Sequence, residues 1–303
     1  MAKLIDLADV VTHPLGKRLL RRCSGPAERL LAVDRINEYY ERFRTEVLSG
    51  NLPESVFATA LDVLNVRFAV ERGRLHHIPG TGPVVIVANH PFGAVEGLIL
   101  GAMLLRIRPD VRILGNYLLK EIIGIRDYIF PVDPFGHKPA VSANARGIKQ
   151  CLTWLRRGGC LAVFPSGEVA SWQPRKGGVM DPPWNAHVAA LVRLSRATVV
   201  PVYFPGRNSA HFMLLGLLSP RIRTALLPRE FANQSGRRIS LRIGRGIPGH
   251  RLQRFADDQA MTDYLRLSTE VLNVDTKQSG LRAQPSAGTD RLRPLETVLP
   301  PVP

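Results

Sequence analysis

A chain of 303 residues with 45% apolar and 22% charged side chains has the make-up of a globular protein able to bury a normal core. Its 41 Lys and Arg against 25 Asp and Glu give a net charge of +16, a surface suited to nucleic acid, anionic lipid or an acidic carrier. Three cysteines (Cys23, Cys151, Cys160) with no CxxC and no metal spacing argue against a disulfide framework and for free thiols in a reducing compartment.

The first residues, MAKLIDLADVVTHPLG, carry acids and a histidine where a signal peptide needs an unbroken apolar region, so none is expected. Residues 1–32 read as an amphipathic arm. Its basic cluster Lys17-Arg18-Leu19-Leu20-Arg21-Arg22 is either a solvated face or a segment that rests on an anionic bilayer. Residues 33–72 read as two helices broken at SGNLPES, with Val56, Ala60, Val63, Leu64 and Phe68 at helical spacing in the second. Residues 1–72 thus form an expected helical segment.

An α/β pattern fills 73–274. Strands are predicted at 84–89, 112–116, 128–133, 160–165, 198–204 and 239–243. Helices are predicted at 139–157, where Ile148, Cys151, Leu152 and Leu155 form a stripe, and at 184–196. Strands separated by helices imply a mostly parallel central sheet flanked by helices. The run LILGAMLL (98–105) is the nearest candidate for a membrane span, but Arg106 and Arg108 stop it well short of the ~20 residues needed. Residues 275–303, rich in Pro, Gly and Ser and without periodicity, are expected to be disordered.

Four predicted strands close in polar loops: NHPFGAVEG (89–97), VDPFG (132–136), FPSGEVAS (164–171) and FPGRNS (204–209). Ligands of open α/β sheets gather at the carboxyl ends of strands, so these loops are where chemistry is expected. A neutral imidazole at His90 can take a hydroxyl proton if a carboxylate orients it and stabilises the imidazolium. The Pro91-Phe92-Gly93 turn can fold Glu96 back towards it. On these residues alone two readings stand: a His90–Glu96 dyad, or a strand-end histidine and a solvated first-turn acid. Other chemistries find less support. No GxSxG, P-loop or HExxH occurs. GRGIPG (244–249) matches GxGxxG by letter, but Pro248 removes a backbone donor and no further βαβ unit follows.

Taken together, the four loops resemble those of the glycerolipid acyltransferase superfamily, the lysophosphatidate-acyltransferase-like proteins. The likeness is to the hemolysin-labelled branch that includes lyso-ornithine-lipid acyltransferases, and it covers about 35–270. NHPFGAVEG is similar to the first family block, a histidine and an aspartate separated by four residues; here the acid is glutamate and five residues intervene. LGNYLLKEIIGIRDYIFPVDPFG (114–136) is similar to the second block, with Asn116, Lys120 and Arg126 in the acceptor-binding region. FPSGEVAS is similar to the third, and assigns Phe164, Pro165, Ser166, Gly167 and Glu168 to substrate. Ser166 and Val169 replace its usual glutamate and arginine, which argues against plain lysophosphatidate as acceptor. VVPVYFPGRNS (199–209) is similar to the fourth, with Arg207 and Asn208 at its end.

The resemblance implies an O-acyltransferase that uses no cofactor and no metal. His90 is then general base and Glu96 its orienting carboxylate. The donor is acyl carrier protein or acyl-CoA, the acceptor a lysolipid, and backbone amides near Gly93 or Gly167 are candidate oxyanion donors. Residues 221–254, with nine arginines against Glu230 alone, offer a surface for an anionic membrane, the carrier or CoA phosphates. The expected location is cytoplasmic and peripheral, on the inner face of the cell membrane. A basic nucleic-acid-binding protein is the competing reading. It explains the charge but not the four loops, and aromatics make up only 7% of the chain where single-strand binders need stacking platforms. A catalytically inactive lipid-binding homologue is a further alternative.

Overall fold

Alternation along one strand organises the molecule. In the computed structural model, which describes residues 4, 25–26, 28–50, 52, 54–73, 75–132 and 140–274, the strand β2 (Val84–Ala88) is buried along its whole length. Val84, Ile86 and Ala88 enter one apolar cluster, while Val85 and Val87 enter another. Successive strand side chains point to opposite faces, so an unbroken β-branched run requires cover on both sides. One face is covered by α1 (Val33–Ser49), α2 (Val56–Val63) and α3 (Ala94–Leu105), through Phe43, Phe57, Ile99 and Leu100. The other is covered by α4 (Ala140–Arg156), α5 (His187–Ser195) and α9 (Asp258–Glu270), through Cys151, Leu155, Leu191 and Met261.

The remaining strands of the sheet are β1 (Arg67–Arg72), β3 (Val111–Asn116), β4 (Ile129–Val132), β5 (Cys160–Val163), β8 (Thr198–Tyr203) and β9 (Arg238–Ile243). Their spatial order is β1-β9-β8-β2-β5-β3-β4. The five strands from β8 to β4 are mutually parallel, so their carboxyl ends share one edge. β9 pairs antiparallel with β8, and β1 pairs parallel with β9. The mostly parallel sheet flanked by helices therefore stands, and the six predicted strands are all present.

Two local readings need correction. Phe68 does not belong to the stripe of α2. That helix ends at Leu64, and Asn65 adopts φ 52° while the Val66 amide donates to the Leu61 carbonyl at 2.8 Å. Such a left-handed cap stops the helix, and RFAVER leaves it as β1. The sheet thus begins ahead of residue 73. A short hairpin, β6 (Ser171–Gln173) with β7 (Gly178–Met180), also follows the third loop, where sequence periodicity is too brief to reveal it.

GRGIPG forms no phosphate cradle. Ile247 pairs with Val199 on β8, and a Cβ on Gly249 would overlap the Arg196 carbonyl before the four-residue helix α8 (Gly249–Leu252). LILGAMLL is buried within α3, and among the described residues no helix is long and apolar enough to cross a membrane. Arg108, only 2% exposed, donates to Asp110 and to the carbonyls of Pro79, Gly82 and Gly158, joining the loops below the sheet. Most of the arm, Cys23, residues 133–136 of VDPFG and the 275–303 tail lie outside the described residues.

Candidate active site

Strands β5, β2 and β8 lie side by side, and each ends in one of the predicted loops. Asn89 bonds the first to the last. Its side chain accepts the Phe204 amide at 2.7 Å and donates to the Phe204 carbonyl at 2.9 Å, which prolongs the β2–β8 ladder by one step. Past His90 the chain reverses through Pro91-Phe92-Gly93. Gly93 takes φ 115°, a conformation open to glycine and strained for any other residue, and α3 starts at the next residue.

Glu96 stands in the first turn of that helix, where a negative charge meets the positive end of the helix dipole. Its Oε1 accepts the Phe92 amide at 2.6 Å and lies 3.6 Å from His90 Nδ1. The carboxylate is fully buried, and the histidine side chain keeps 17% of its surface exposed. At 3.6 Å the two groups are in contact just beyond hydrogen-bond reach. His90 Nδ1 and Glu96 Oε2 are both buried without a hydrogen-bond partner among the described residues. A small rotation of either group closes the pair, and catalytic hydrogen bonds commonly tighten once substrate is bound. The His90 ring also stacks on Phe164, with centroids 4.2 Å apart and planes inclined by 24°.

A residue that sequence reading missed fixes the histidine backbone. Asp181, between β7 and α5, accepts the His90 amide on Oδ1 and the Trp184 indole N–H on Oδ2, both at 3.1 Å. Burial pushes its carboxyl above the ordinary value, opposed by those two hydrogen bonds and by the nearby His90 and Arg266 charges. Arg266 on α9 donates to the carbonyls of Asp181 and Pro182, and the Ala170 amide donates to the His90 carbonyl at 2.8 Å. Both backbone polar groups of His90 are therefore held. The signal was Asp181-Pro-Pro-Trp184 just ahead of a helix, but only the fold brings it to His90.

The other loops lock the turn. Asn208, buried, donates to the Phe92 carbonyl at 3.2 Å, and its Oδ1 has no partner among the described residues. Gly206 adopts φ 123°, and a side chain there would overlap the Phe92 ring. In the third loop the Gly167 amide donates to the Phe164 carbonyl at 2.9 Å, and Ser166 Oγ donates to the Glu168 carbonyl at 2.8 Å. Pro165 is buried and its carbonyl accepts the Asn185 amide. Glu168 pairs with Arg223 of α7 (Pro220–Ala232). Arg207 is exposed beside Asn208.

The second-block residues lie farther along the sheet. Asn116, at the end of β3, caps the turn 117–121 by accepting the Leu118 amide, and Lys120 is exposed in that turn. Arg126 is exposed in the turn that leads into the amino end of β4. None of these three hydrogen-bonds to His90 or Glu96, and β5 lies between β3 and β2. Among the described residues no three His, Cys, Asp or Glu side chains cluster as a metal site. What the edge offers is an imidazole beside a buried carboxylate: a base able to accept a proton and a charge able to stabilise the cation that results.

Comparison with known proteins places the chain in a family. The chain is 27% identical over 256 residues to a lyso-glycine lipid O-acyltransferase of Phocaeicola vulgatus, covering 81% of this chain and 86% of that protein. A Bacteroides thetaiotaomicron protein of the same name is 28% identical over 149 residues, covering 47% of this chain and 50% of that one. The solved lysophosphatidate acyltransferase PlsC of Thermotoga maritima superposes with a TM-score of 0.45 at 14% identity, over 92% of this chain and 87% of its own. The family model described as Acyltransferase matches residues 28–278, most of the sequence, and on that match this chain belongs to the acyltransferase family.

Proposed function

We propose that this enzyme moves a fatty acyl group from the thioester of acyl carrier protein or acyl-CoA to the hydroxyl of a lysolipid, with His90 as general base. The observation that carries the reading is the contact between His90 Nδ1 and the buried Glu96 carboxylate at the carboxyl edge of the sheet. With Nδ1 turned to Glu96, Nε2 takes the proton of the acceptor hydroxyl as its oxygen attacks the thioester carbonyl. A tetrahedral oxyanion forms, the C–S bond breaks, and the imidazolium returns its proton to the departing thiolate. Glu96 stabilises the imidazolium in between.

The Gly167 amide is already committed to Phe164, so the Gly93 amide is the better oxyanion donor of the two. Lys120, Arg126 and Arg207 are exposed cations suited to an anionic head group or donor phosphate, with Asn116 at the base of the same turn as Lys120. Phe164, stacked on the His90 ring, lines the His90 side of the third loop, and Ser166 is the polar substrate candidate of that loop. Asn208, Pro165 and Glu168 act through the loops they hold. A lysolipid acceptor is favoured by the names of the two curated relatives, and Ser166 and Val169 in place of the family's glutamate and arginine point away from lysophosphatidate. The enzyme works on the inner face of the cell membrane as a peripheral protein, with +16 of net charge to attract anionic lipid.

The test supplies labelled acyl carrier protein and acyl-CoA with a panel of lysolipids that spans amino-acid and phosphate head groups, and identifies products by mass spectrometry. An esterified lysolipid is expected. No acylated product from any pairing would refute the proposal.

A further inference from the structure

The loop that carries Asn208 runs directly into α6 (Ala210–Leu218), capped by Ser209, whose hydroxyl accepts the Phe212 amide and donates to the buried Glu230. Its sequence, AHFMLLGLL, is apolar on nearly every side. A surface helix of a globular protein keeps one polar face for water, and this one does not. Phe212 and Met213 pack inward with Val169 and Leu226. Leu214, Leu215 and Leu217 face outward, Leu214 with 65% and Leu217 with 50% of its surface exposed.

The apolar surface continues on both sides. Ile222 of α7 is exposed, and α6 packs against β6, whose Trp172 is also exposed. Large contiguous apolar surface rimmed by charge marks a contact site. The rim is mainly basic: Arg207 and Arg229 are exposed, and Arg223 pairs with the Glu168 carboxylate of the third loop. Leucines with a tryptophan amid arginines suit the boundary of an anionic bilayer, where acyl chains take the apolar groups and head groups meet the cations. The surface also adjoins the catalytic turn. Leu227 of α7 lies 3.9 Å from the position a Cβ would occupy on Gly93, three residues from His90.

We propose that the outer face of α6, with Ile222 and Trp172, is the surface by which the enzyme docks on anionic membrane, seating the His90 edge at the bilayer where a lysolipid resides. The proposal rests on a lipid acceptor for its purpose, but not for its test. Wild type, the double variant Leu214→Glu/Leu217→Glu, and Leu194→Glu on α5 as an equally exposed control are floated with phosphatidylglycerol–phosphatidylcholine vesicles. Wild type and the control should bind alike. The double variant should bind roughly a hundredfold more weakly, because two apolar anchors are lost and two negative charges face an anionic surface.

Acyl transfer is measured in parallel on vesicle-embedded acceptor and on a short-chain acceptor dispersed below its micellar concentration. The double variant should lose the first and keep the second. Unchanged vesicle binding by the double variant, equal loss in the control, or a change only in oligomeric state or in carrier-protein binding would overturn the surface. If no form of the enzyme transfers acyl groups, the proposed activity fails while the vesicle comparison still decides the docking surface.

Discussion

The anchoring contact of Glu96 and its proposed charge role can be separated by substitution. Its Oε1 anchors the Phe92 amide, and its charge lies 3.6 Å from His90 Nδ1. Glu96→Gln keeps a carbonyl oxygen for the anchor and removes the charge. At an effective dielectric of ~20, unit charges at that distance attract by about 4–5 kcal/mol, which bounds the loss of imidazolium stabilisation near three orders of magnitude. The amide dipole restores part of this, so kcat is expected to fall by ~10²- to 10³-fold. Stability should move the other way. A fully buried carboxylate with one unpaired oxygen carries a desolvation cost that a neutral amide largely avoids, so the Tm of Glu96→Gln should equal or exceed that of wild type. Glu96→Ala loses the anchor as well and leaves a buried amide unpaired, at about 1–3 kcal/mol of stability. The assay is single-turnover acyl transfer beside thermal unfolding of all three forms. A Glu96→Gln enzyme with the wild-type rate would refute the charge role.

Asp181→Ala strands the His90 amide and the Trp184 indole, each worth about 1–3 kcal/mol when buried unpaired, so roughly 2–6 kcal/mol should be lost in urea unfolding, with a fall in kcat. Burial raises the Asp181 carboxyl above its ordinary 3.8 in the folded chain, so the folded state holds that proton to higher pH than the unfolded state does. The associated stability is complete below 3.8 and is lost as pH rises through the raised folded value; Asp181→Asn should remove that slope from stability measured across acid to neutral pH. Gly206→Ala puts a methyl into the Phe92 ring at a φ of 123°, and a loss of about 1–3 kcal/mol with a slower enzyme is expected; wild-type stability would contradict the packing. Burial pushes the Cys151 and Cys160 thiols up to about 12, so in a Cys23→Ser protein neither should react with a thiol reagent at pH 8 until the chain is unfolded.

The sheet was legible because its central strands are β-branched runs buried on both faces, which periodicity and length report directly. The His90–Glu96 contact was legible only as an option, since it depends on a turn whose reversal is set by Gly93 and then fixed by Asn208 and Gly206 more than a hundred residues away. Asp181 was hidden for the same reason: its partners are a backbone amide and an indole, and neither leaves a spacing in the sequence. β1 was obscured by a short helix ending in a left-handed asparagine, which let Phe68 mimic a helical position. The second-block residues illustrate the converse, since Asn116, Lys120 and Arg126 are near in sequence but divide between a turn after β3 and the entry to β4.

The central claim is that His90 is the base that activates the acceptor hydroxyl. The most direct measurement compares single-turnover acyl transfer by wild type and His90→Ala, using the donor and lysolipid on which wild type is active and vesicle binding as a control for folding. The account predicts that His90→Ala binds vesicles normally and transfers acyl groups at least ~10²-fold more slowly. Equal rates for the two proteins would contradict it.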